Sequence, residues 1–167
     1  MTALDRVRLP RMLTKKQVLL TFVVGFLLVL PATATAATRL SSSEWALLNA
    51  VNGVRASNGL ARLSVDPVLV RAARAHSGDM LRRNYFSHGA FSQRILATGA
   101  RGPMFGENLA WGTAASPQWV ISHWLASPPH RAILLRPGFR RIGIGAVRGT
   151  FSGAAGATVI TADFAGW

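Results

Sequence analysis

The sequence predicts an α+β domain, because helix patterns come first in the folded region and strand patterns come last. Three helix-start motifs precede apolar runs with helical spacing, at residues 41–44, 66–67 and 116–117. A period-two alternation of side chains follows at residues 142–164. Helices and strands that are segregated along the chain are typical of α+β proteins. The length of 167 residues suits a single domain with its own core.

The N-terminal segment has the pattern of a secretory signal peptide. Basic residues precede an apolar run at residues 18–30, and Ala34-Thr35-Ala36 matches a signal-peptidase site. The run is shorter than the about 20 residues that a bilayer-spanning helix needs. We therefore predict a signal peptide at residues 1–36 and a domain at residues 37–167, in a protein that is secreted or associated with the cell envelope. An uncleaved membrane anchor is the alternative.

The predicted domain is strongly basic. Residues 37–167 contain 14 arginines, no lysine and five acidic residues, which gives a net charge of +9. Such a surface attracts anionic envelope polymers or lipid headgroups, although an arginine-rich composition with a soluble surface is also a sufficient explanation. No basic run is interleaved with aromatic residues, so we expect no nucleic-acid partner. The chain has no cysteine, so an exported domain has no disulfide bond.

Two helices are predicted at the start of the domain. Ser41 to Glu44 has the spacing of a capping box, and the helix that follows reaches about Ser57. Asp66-Pro67 combines an N-cap with a first-turn proline, and the second helix reaches about Arg83. Apolar side chains recur at helical spacing along both segments.

Shorter helical segments follow. Residues 91–97 predict a short helix, and residues 116–117 repeat the cap-and-proline motif for a helix that reaches about Ala126. Two prolines at residues 128–129 break that helix, because proline lacks the amide donor. One or two helical turns are predicted at residues 130–135.

The end of the chain predicts two strands. Side chains alternate at residues 142–147 and 158–164, and a glycine-rich loop around residues 149–156 joins them. Gly143 and Gly145 face the same side of the first strand. Because glycine has no Cβ, we predict that a helix packs close to the sheet there.

Glu107 lies in the stretch around which we expect the site to form. It stands between Gly106 and Asn108, and aromatic residues flank the stretch. Glycine permits tight turns, so we predict a turn that presents one carboxylate. Two imidazoles and a carboxylate form a ligand set for a divalent metal. No local motif such as His-Glu-x-x-His occurs, so the ligands would have to converge from separate segments.

The chain carries four short motifs in the order Asn84-Tyr85-Phe86-Ser87-His88, Gly106-Glu107-Asn108-Leu109-Ala110, Trp124-Leu125-Ala126-Ser127-Pro128-Pro129-His130-Arg131 and Ile142-Gly143-Ile144-Gly145. In this order they resemble the CAP superfamily, also called SCP-like, which includes cysteine-rich secretory proteins, insect venom antigens and plant pathogenesis-related proteins. The similarity covers about residues 45–164 and is strongest to the short, cysteine-free bacterial branch. The resemblance implies an α-β-α sandwich, with a small antiparallel sheet between helices and a central cleft.

The resemblance also implies a site. In many members the cleft holds two histidines and two glutamates that bind zinc or another divalent cation. His88, Glu107 and His130 match three of these positions, and the fourth position falls on Ser127. We therefore expect a divalent cation, zinc above all, to bind weakly and to keep an open coordination position.

Each of these three side chains also has a purely structural interpretation. His88 follows an aromatic residue in a loop and is able to cap backbone groups. His130 is able to bond the end of the preceding helix. Glu107 is able to brace its turn through backbone donors. The family match favours the cleft for all three.

Four further residues are candidates for the rim of the cleft. His76 lies on the apolar face of the second helix, where a hydrogen-bonded core histidine is the favoured interpretation. Asp79 pairs with an arginine or lines the rim. Asn108 is expected to orient the Glu107 loop, and Ser127 stands where the fourth ligand is missing. His123 is expected to have a surface or packing role.

The sequence predicts a binding module whose ligand is a lipid, an envelope polymer or another protein. The alternative is a metal-dependent hydrolase, in which Glu107 or a metal-bound water performs acid–base chemistry. No second carboxylate is evident near the histidines, which counts against the enzyme. A structural domain with a relic site is the third interpretation.

Overall fold

The computed structural model describes residues 39–166 of the chain. The signal peptide predicted at residues 1–36 lies outside the described residues, together with its cleavage site. Within the described part, no helix is both long enough and apolar enough to span a bilayer.

The described residues form five helices and four strands. In chain order these are α1 (Ser42–Ser57), β1 (Ser64–Val65), α2 (Pro67–Arg83), α3 (Phe91–Ala97), β2 (Phe105–Gly112), α4 (Pro117–Ala126), α5 (Pro128–Leu134), β3 (Phe139–Phe151) and β4 (Ala154–Gly166).

The four strands form one mixed sheet in the order β1-β3-β4-β2. β4 pairs antiparallel with β2 and β3, and the short β1 pairs parallel with β3. On one face of the sheet, Ile142, Ile144 and Ile160 pack in a core with α1, α4 and α5. On the other face, Leu69 of α2 and Ile95 of α3 pack in a second cluster. The predicted α+β class and α-β-α sandwich are confirmed.

The helices begin where the local sequence motifs predict. Ser41 and Glu44 form the capping box of α1, and Ser41 Oγ accepts a 3.3 Å hydrogen bond from the Glu44 amide. Asp66 Oδ1 accepts a 2.8 Å hydrogen bond from the Val68 amide at the start of α2. These caps satisfy amides that the first helical turn leaves without a partner. The predicted ends of α1 and α2 and the short helix α3 are also confirmed.

The start of α5 differs from the prediction. The helix was expected from His130, after the prolines had broken the chain, but it begins at Pro128. Pro128 and Pro129 occupy the first turn, where a missing amide costs no hydrogen bond. Ser127 is the single residue between α4 and α5.

The stretch around Glu107 is a strand and not the predicted turn. β2 pairs with β4 along its whole length, and Glu107 lies opposite Asp163. Gly106 is required here by close packing, because an added Cβ would lie 2.8 Å from the ring of Phe139 and 3.0 Å from the side chain of Ile133. The glycine that suggested a turn therefore allows α5 and β3 to approach the strand.

The hairpin of β3 and β4 is longer than predicted. Ser152 and Gly153 alone connect the two strands, and both have positive φ, at 49° and 79°. Turns with positive φ match the twist of hairpin strands. Most of residues 149–156, which were predicted to form a loop, therefore belong to β3 and β4.

A buried arginine joins the end of α1 to the start of β3. Arg55 is 0% exposed, and its guanidinium donates hydrogen bonds of 2.9–3.2 Å to the carbonyls of Ala61, Leu134, Arg136 and Phe139. The planar guanidinium has five donors in a fixed arrangement, so one side chain connects two segments that are distant in sequence.

α2 approaches β3 closely, as Gly143 and Gly145 predicted. An added Cβ at Gly143 would lie 2.0 Å from the carbonyl carbon of Leu69, and one at Gly145 would lie 2.3 Å from the amide nitrogen of Arg74. The helix and the strand therefore meet backbone to backbone, which leaves no room for a side chain.

We predict that Gly143→Ala destabilises the domain by about 2–3 kcal/mol, because α2 must move away from the sheet. Urea unfolding followed by circular dichroism measures this loss. Gly53→Ala is the matched control, since Gly53 is an exposed residue of α1 and no atom lies within 4 Å of an added Cβ. Alanine should stabilise that helix by about 0.5–1 kcal/mol. Equal stability of the two variants would contradict the backbone contact.

Candidate functional site

The buried carboxylate of Glu107 is the centre of the candidate site. Its side chain is 1% exposed. His88 Nδ1 lies 2.7 Å from Glu107 Oε1, and Arg94 contacts Oε2 through its guanidinium. His76 Nε2 lies 3.8 Å from Oε2. Glu107 is therefore surrounded by two imidazoles and one guanidinium, which come from α2, α3 and the loop between them.

Two residues that sequence reasoning missed complete this cluster. Asp163 of β4 lies opposite Glu107, and its side chain is fully buried. Arg94 Nη1 lies 3.7 Å from Asp163 Oδ2. Burial, and next the charge of Glu107, raises the pKa of Asp163 well above its usual range. An acidic residue within an apolar strand was a usable signal for Asp163, whereas nothing in the pattern of residues 91–97 distinguished Arg94.

His130 belongs to α5. This helix packs against the face of β2 that is opposite to the cluster around Glu107. The Nδ1 of His130 lies 2.8 Å from Ser127 Oγ, and its carbonyl accepts a 3.0 Å hydrogen bond from Asn108 Nδ2. Neighbouring strand residues point to opposite faces, so Asn108 reaches α5 while Glu107 reaches α2 and α3. The prediction that Asn108 orients a Glu107 loop was wrong, because there is no loop and the amide holds α5. Burial, and next the charge of His88, lowers the pKa of His130.

His76 belongs both to the core and to the cluster around Glu107. It is 4% exposed, and its Nε2 lies 3.0 Å from the carbonyl oxygen of Ser87. Burial, and next the charge of Arg94, lowers the pKa of His76. His76 is therefore a buried, hydrogen-bonded core histidine, as favoured by the sequence, and it also lies close to the carboxylate of Glu107.

Asp79 lies at the edge of the same cleft, one helical turn after His76. Its Oδ2 accepts a 2.7 Å hydrogen bond from the Tyr85 hydroxyl, which lowers the pKa of Asp79. It also pairs with the two arginines at the end of α2. His123 is exposed, and its ring lies against Trp119 with the ring centroids 3.8 Å apart.

Two cavities adjoin these residues. The first has a volume of about 450 Å³, and its lining includes His76, Asp79, Tyr85, His88 and Arg94. The second, which we call the aromatic cavity, has a volume of about 300 Å³ and is lined by Phe86, Leu109, Ala110, Trp111, Trp119, His123, Trp124, Ser127 and His130. Of the predicted ligands, His88 therefore lines the first cavity and His130 the second.

Zinc binding by His88, Glu107 and His130 stays a prediction, and the contacts of Glu107 count against it. One of its oxygens faces His88 and the other faces Arg94. A divalent ion that used both oxygens would have to displace the arginine. Within residues 39–166, no three or more His, Cys, Asp or Glu side chains are grouped so that they could hold a metal ion. As they stand, these residues do not fit the cation that the resemblance implies.

Comparison with known proteins identifies the family. The profile of the cysteine-rich secretory protein family, CAP, matches residues 48–164. This chain belongs to the CAP family. The uncharacterized protein YkwD of Bacillus subtilis (strain 168) is 34% identical to it over 120 residues, which are 69% of this chain and 46% of YkwD.

Solved structures share the fold of this CAP domain. An extracellular protein of Bacillus anthracis that contains an SCP domain has a TM-score of 0.64 and 25% identity, over 75% of this chain and 40% of that protein. An outer surface protein of Borrelia burgdorferi has a TM-score of 0.59 and 22% identity, over 72% of this chain and 90% of that protein. The chain thus spans less than half of YkwD and of the Bacillus anthracis protein.

We predict that the domain loses stability as the pH falls below about 6.5, because His76 is buried in its neutral form. Its folded-state pKa is lowered, so its contribution is present above the unfolded pKa and is lost as the pH falls through the folded pKa. Urea unfolding above and below that pH measures the effect.

His76→Gln should reduce this pH dependence, since glutamine keeps a donor near the Ser87 carbonyl and does not titrate. The control is His123→Gln, whose imidazole is exposed. If both variants changed the pH dependence equally, the acid sensitivity would have to be assigned to other groups.

Proposed function

We propose that this chain is an extracellular CAP-domain binding module whose ligand is an anionic polymer of the cell envelope. The observation that carries the proposal is the contrast between the polar cluster around Glu107 and the aromatic cavity. The carboxylate of the site is buried and engaged, whereas the aromatic cavity beside His130 opens at the surface. An arrangement of this kind suits recognition better than chemistry.

The burial of Glu107 counts against acid–base catalysis. A general base must lie within hydrogen-bond reach of the proton that it removes. The Glu107 side chain is 1% exposed, and its oxygens face His88 and Arg94. A substrate would therefore meet the imidazole of His88, which is 53% exposed, before it met the carboxylate.

The aromatic cavity has the composition of a ligand site. Binding pockets are lined mainly by apolar and aromatic side chains, with a few polar groups that orient the ligand. Here Phe86 is 45% exposed, Trp111 and Trp119 are partly exposed, and His130 and Ser127 supply the polar groups. Aromatic faces provide contact area at a low cost in side-chain entropy, so the flat face of a sugar ring suits them.

The charge distribution supports an anionic ligand. Each of the five described carboxylate side chains is paired with an arginine, in the pairs Glu44–Arg74, Asp66–Arg141, Asp79–Arg82, Asp79–Arg83, Glu107–Arg94 and Asp163–Arg94. The other described arginines therefore have no carboxylate left to neutralise them. Excess positive charge attracts an anionic polymer and speeds association with it.

The extracellular location rests on two further observations. The basic n-region and short apolar run of residues 1–36 have the pattern of an export signal. The similar Bacillus anthracis protein is described as extracellular. Both support export of this chain.

We predict that Trp119→Ala weakens binding to anionic wall polysaccharide about tenfold, a loss of about 1.4 kcal/mol. Co-sedimentation with purified envelope material measures the affinity. Trp45→Ala is the matched control, because Trp45 is an exposed tryptophan of α1 that does not line the aromatic cavity. Added salt should weaken binding by the wild type, since salt screens charge attraction.

The outcomes of this experiment separate the alternatives. Strong binding to neutral lipid vesicles that is indifferent to salt would replace the polymer with a lipid ligand. Equal loss in the Trp45→Ala control would remove the aromatic cavity from the proposal. The absence of binding to either material would favour a structural domain with a relic site.

A second prediction concerns export. We expect mass spectrometry of exported protein to find an N-terminus at residue 37, because signal peptidase cuts after small residues in an Ala-x-Ala pattern. A membrane-bound protein with the intact N-terminus would show that residues 1–36 are an anchor.

A hydrolase is the second candidate function. It is favoured by the 2.7 Å contact between His88 Nδ1 and Glu107 Oε1, which orients an exposed imidazole in the manner of a general base and its carboxylate. Release of soluble fragments from the envelope material, lost in His88→Ala, would support this function over simple binding.

A further inference from the structure

We infer that a groove between the end of α4 and α5 binds an acidic peptide segment of a partner protein. The groove has a volume of about 620 Å³, and its lining includes Leu125, Arg131, Ile133, Leu135 and Arg136. We call it the arginine groove. It shares no lining residue with the aromatic cavity, so the inference goes beyond the proposed function.

The inner part of the arginine groove is aliphatic. Leu125, Ile133 and Leu135 are partly buried and pack against the main core, and the exposed Pro128 and Pro137 also line the groove. No aromatic residue is among those that line it, so it lacks the flat face that suits a sugar ring. Pockets of this size and composition take apolar groups, and here aliphatic side chains of a ligand fit best.

The outer part of the groove is positively charged. Arg131 and Arg136 are exposed residues of its lining. The sequence has no acidic residue between Glu107 and Asp163, so α4, α5 and the loop after α5 supply no carboxylate. The described carboxylates are paired with other arginines. A guanidinium binds a carboxylate through two parallel hydrogen bonds, and both arginines are therefore available to carboxylates of a ligand.

The buried Arg55 holds one wall of the groove in place. Its Nη1 donates hydrogen bonds of 2.9 Å and 3.1 Å to the carbonyls of Leu134 and Arg136. Burial, and next the charge of Arg140, lowers the pKa of Arg55. Like charges at close range cost free energy, which an anionic ligand offsets. A wall that is fixed before binding also loses less conformational entropy when the ligand binds.

An acidic peptide fits both parts of the groove better than other occupants do. A second copy of this basic chain is disfavoured, because its described carboxylates are already engaged by arginines. A flat bilayer would meet the exposed Arg131 and Arg136, whereas the aliphatic side chains lie deeper. A peptide inserts an aliphatic side chain into the groove while its neighbouring carboxylates pair with the arginines.

The experiment measures fluorescence anisotropy of a short fluorescein-labelled peptide in which leucine and glutamate alternate. The full chain is kept in nanodiscs of neutral lipid, so that no detergent competes for the groove. The wild type should bind this peptide at least about tenfold more tightly than its analogue with glutamine in place of glutamate. Arg131→Ala/Arg136→Ala should remove most of that preference.

The matched control is Arg71→Ala/Arg101→Ala, which removes the same charge from the surface. Arg71 and Arg101 are exposed and do not line the groove. This variant should keep the affinity of the wild type within about twofold, because only the long-range attraction changes.

A second pair of variants tests the groove without removing an arginine. Ala132 is exposed and lines the groove. Ala132→Glu adds a carboxylate that competes with those of the peptide, and it should weaken binding about tenfold. Ala132→Gln adds a side chain of similar size without a charge, and it should weaken binding much less. Thermal unfolding followed by circular dichroism checks that each variant is folded.

Several results would overturn the inference. The first is a wild type that does not bind the glutamate peptide or binds both peptides equally, and the second is an equal loss in Arg71→Ala/Arg101→Ala. Tighter binding to phosphatidylglycerol vesicles than to the peptide, lost in Arg131→Ala/Arg136→Ala, would replace the peptide with a lipid. Trp119→Ala should leave peptide binding unchanged, so the proposed function stands or falls separately.

Discussion

The register between β2 and β4 is the constraint on which the rest of the site depends. It sets Glu107 beside Asp163 on a buried face of the sheet, where burial and the neighbouring carboxylate raise the pKa of Asp163 and the carboxylate of Glu107 is held by His88 and Arg94. Arg94 has to reach into this place from α3, and the loop before α3 then carries His88 to the other oxygen of Glu107. The loop and α3 are thus both tied to β2 through the one carboxylate of Glu107, in addition to the apolar packing of Ile95.

The same strand also separates the two halves of the cleft. Glu107 points to the layer of α2 and α3, and Asn108, its neighbour, points to α5 and holds the carbonyl of His130. The polar cluster and the aromatic cavity therefore lie on opposite sides of β2, which is an edge strand of the sheet. His130 lines the aromatic cavity, whereas the buried polar cluster around Glu107 lies on the opposite side of β2.

Much of the fold could be predicted because its signals are local. The capping box at Ser41, the cap at Asp66 and the glycines at positions 143 and 145 each act on neighbouring backbone, and the structure confirms all of them. β2 was missed because it is buried on both faces and shows no alternation, so Gly106 was taken for a turn. Arg94 could not be predicted, since its partners are set by a strand register that no local pattern encodes.

The buried guanidinium of Arg55 has a consequence for when the chain is able to fold. It is permanently charged, so burying it before its acceptors are present costs several kcal/mol. Three of its acceptors, the carbonyls of residues 134, 136 and 139, lie at the end of α5, in the loop after it and at the start of β3. The surroundings of this guanidinium are therefore complete only when α5, the loop after it and the start of β3 have all packed against α1. One side chain near the start of the domain thus makes the packing of α1 depend on residues that follow it by about eighty positions.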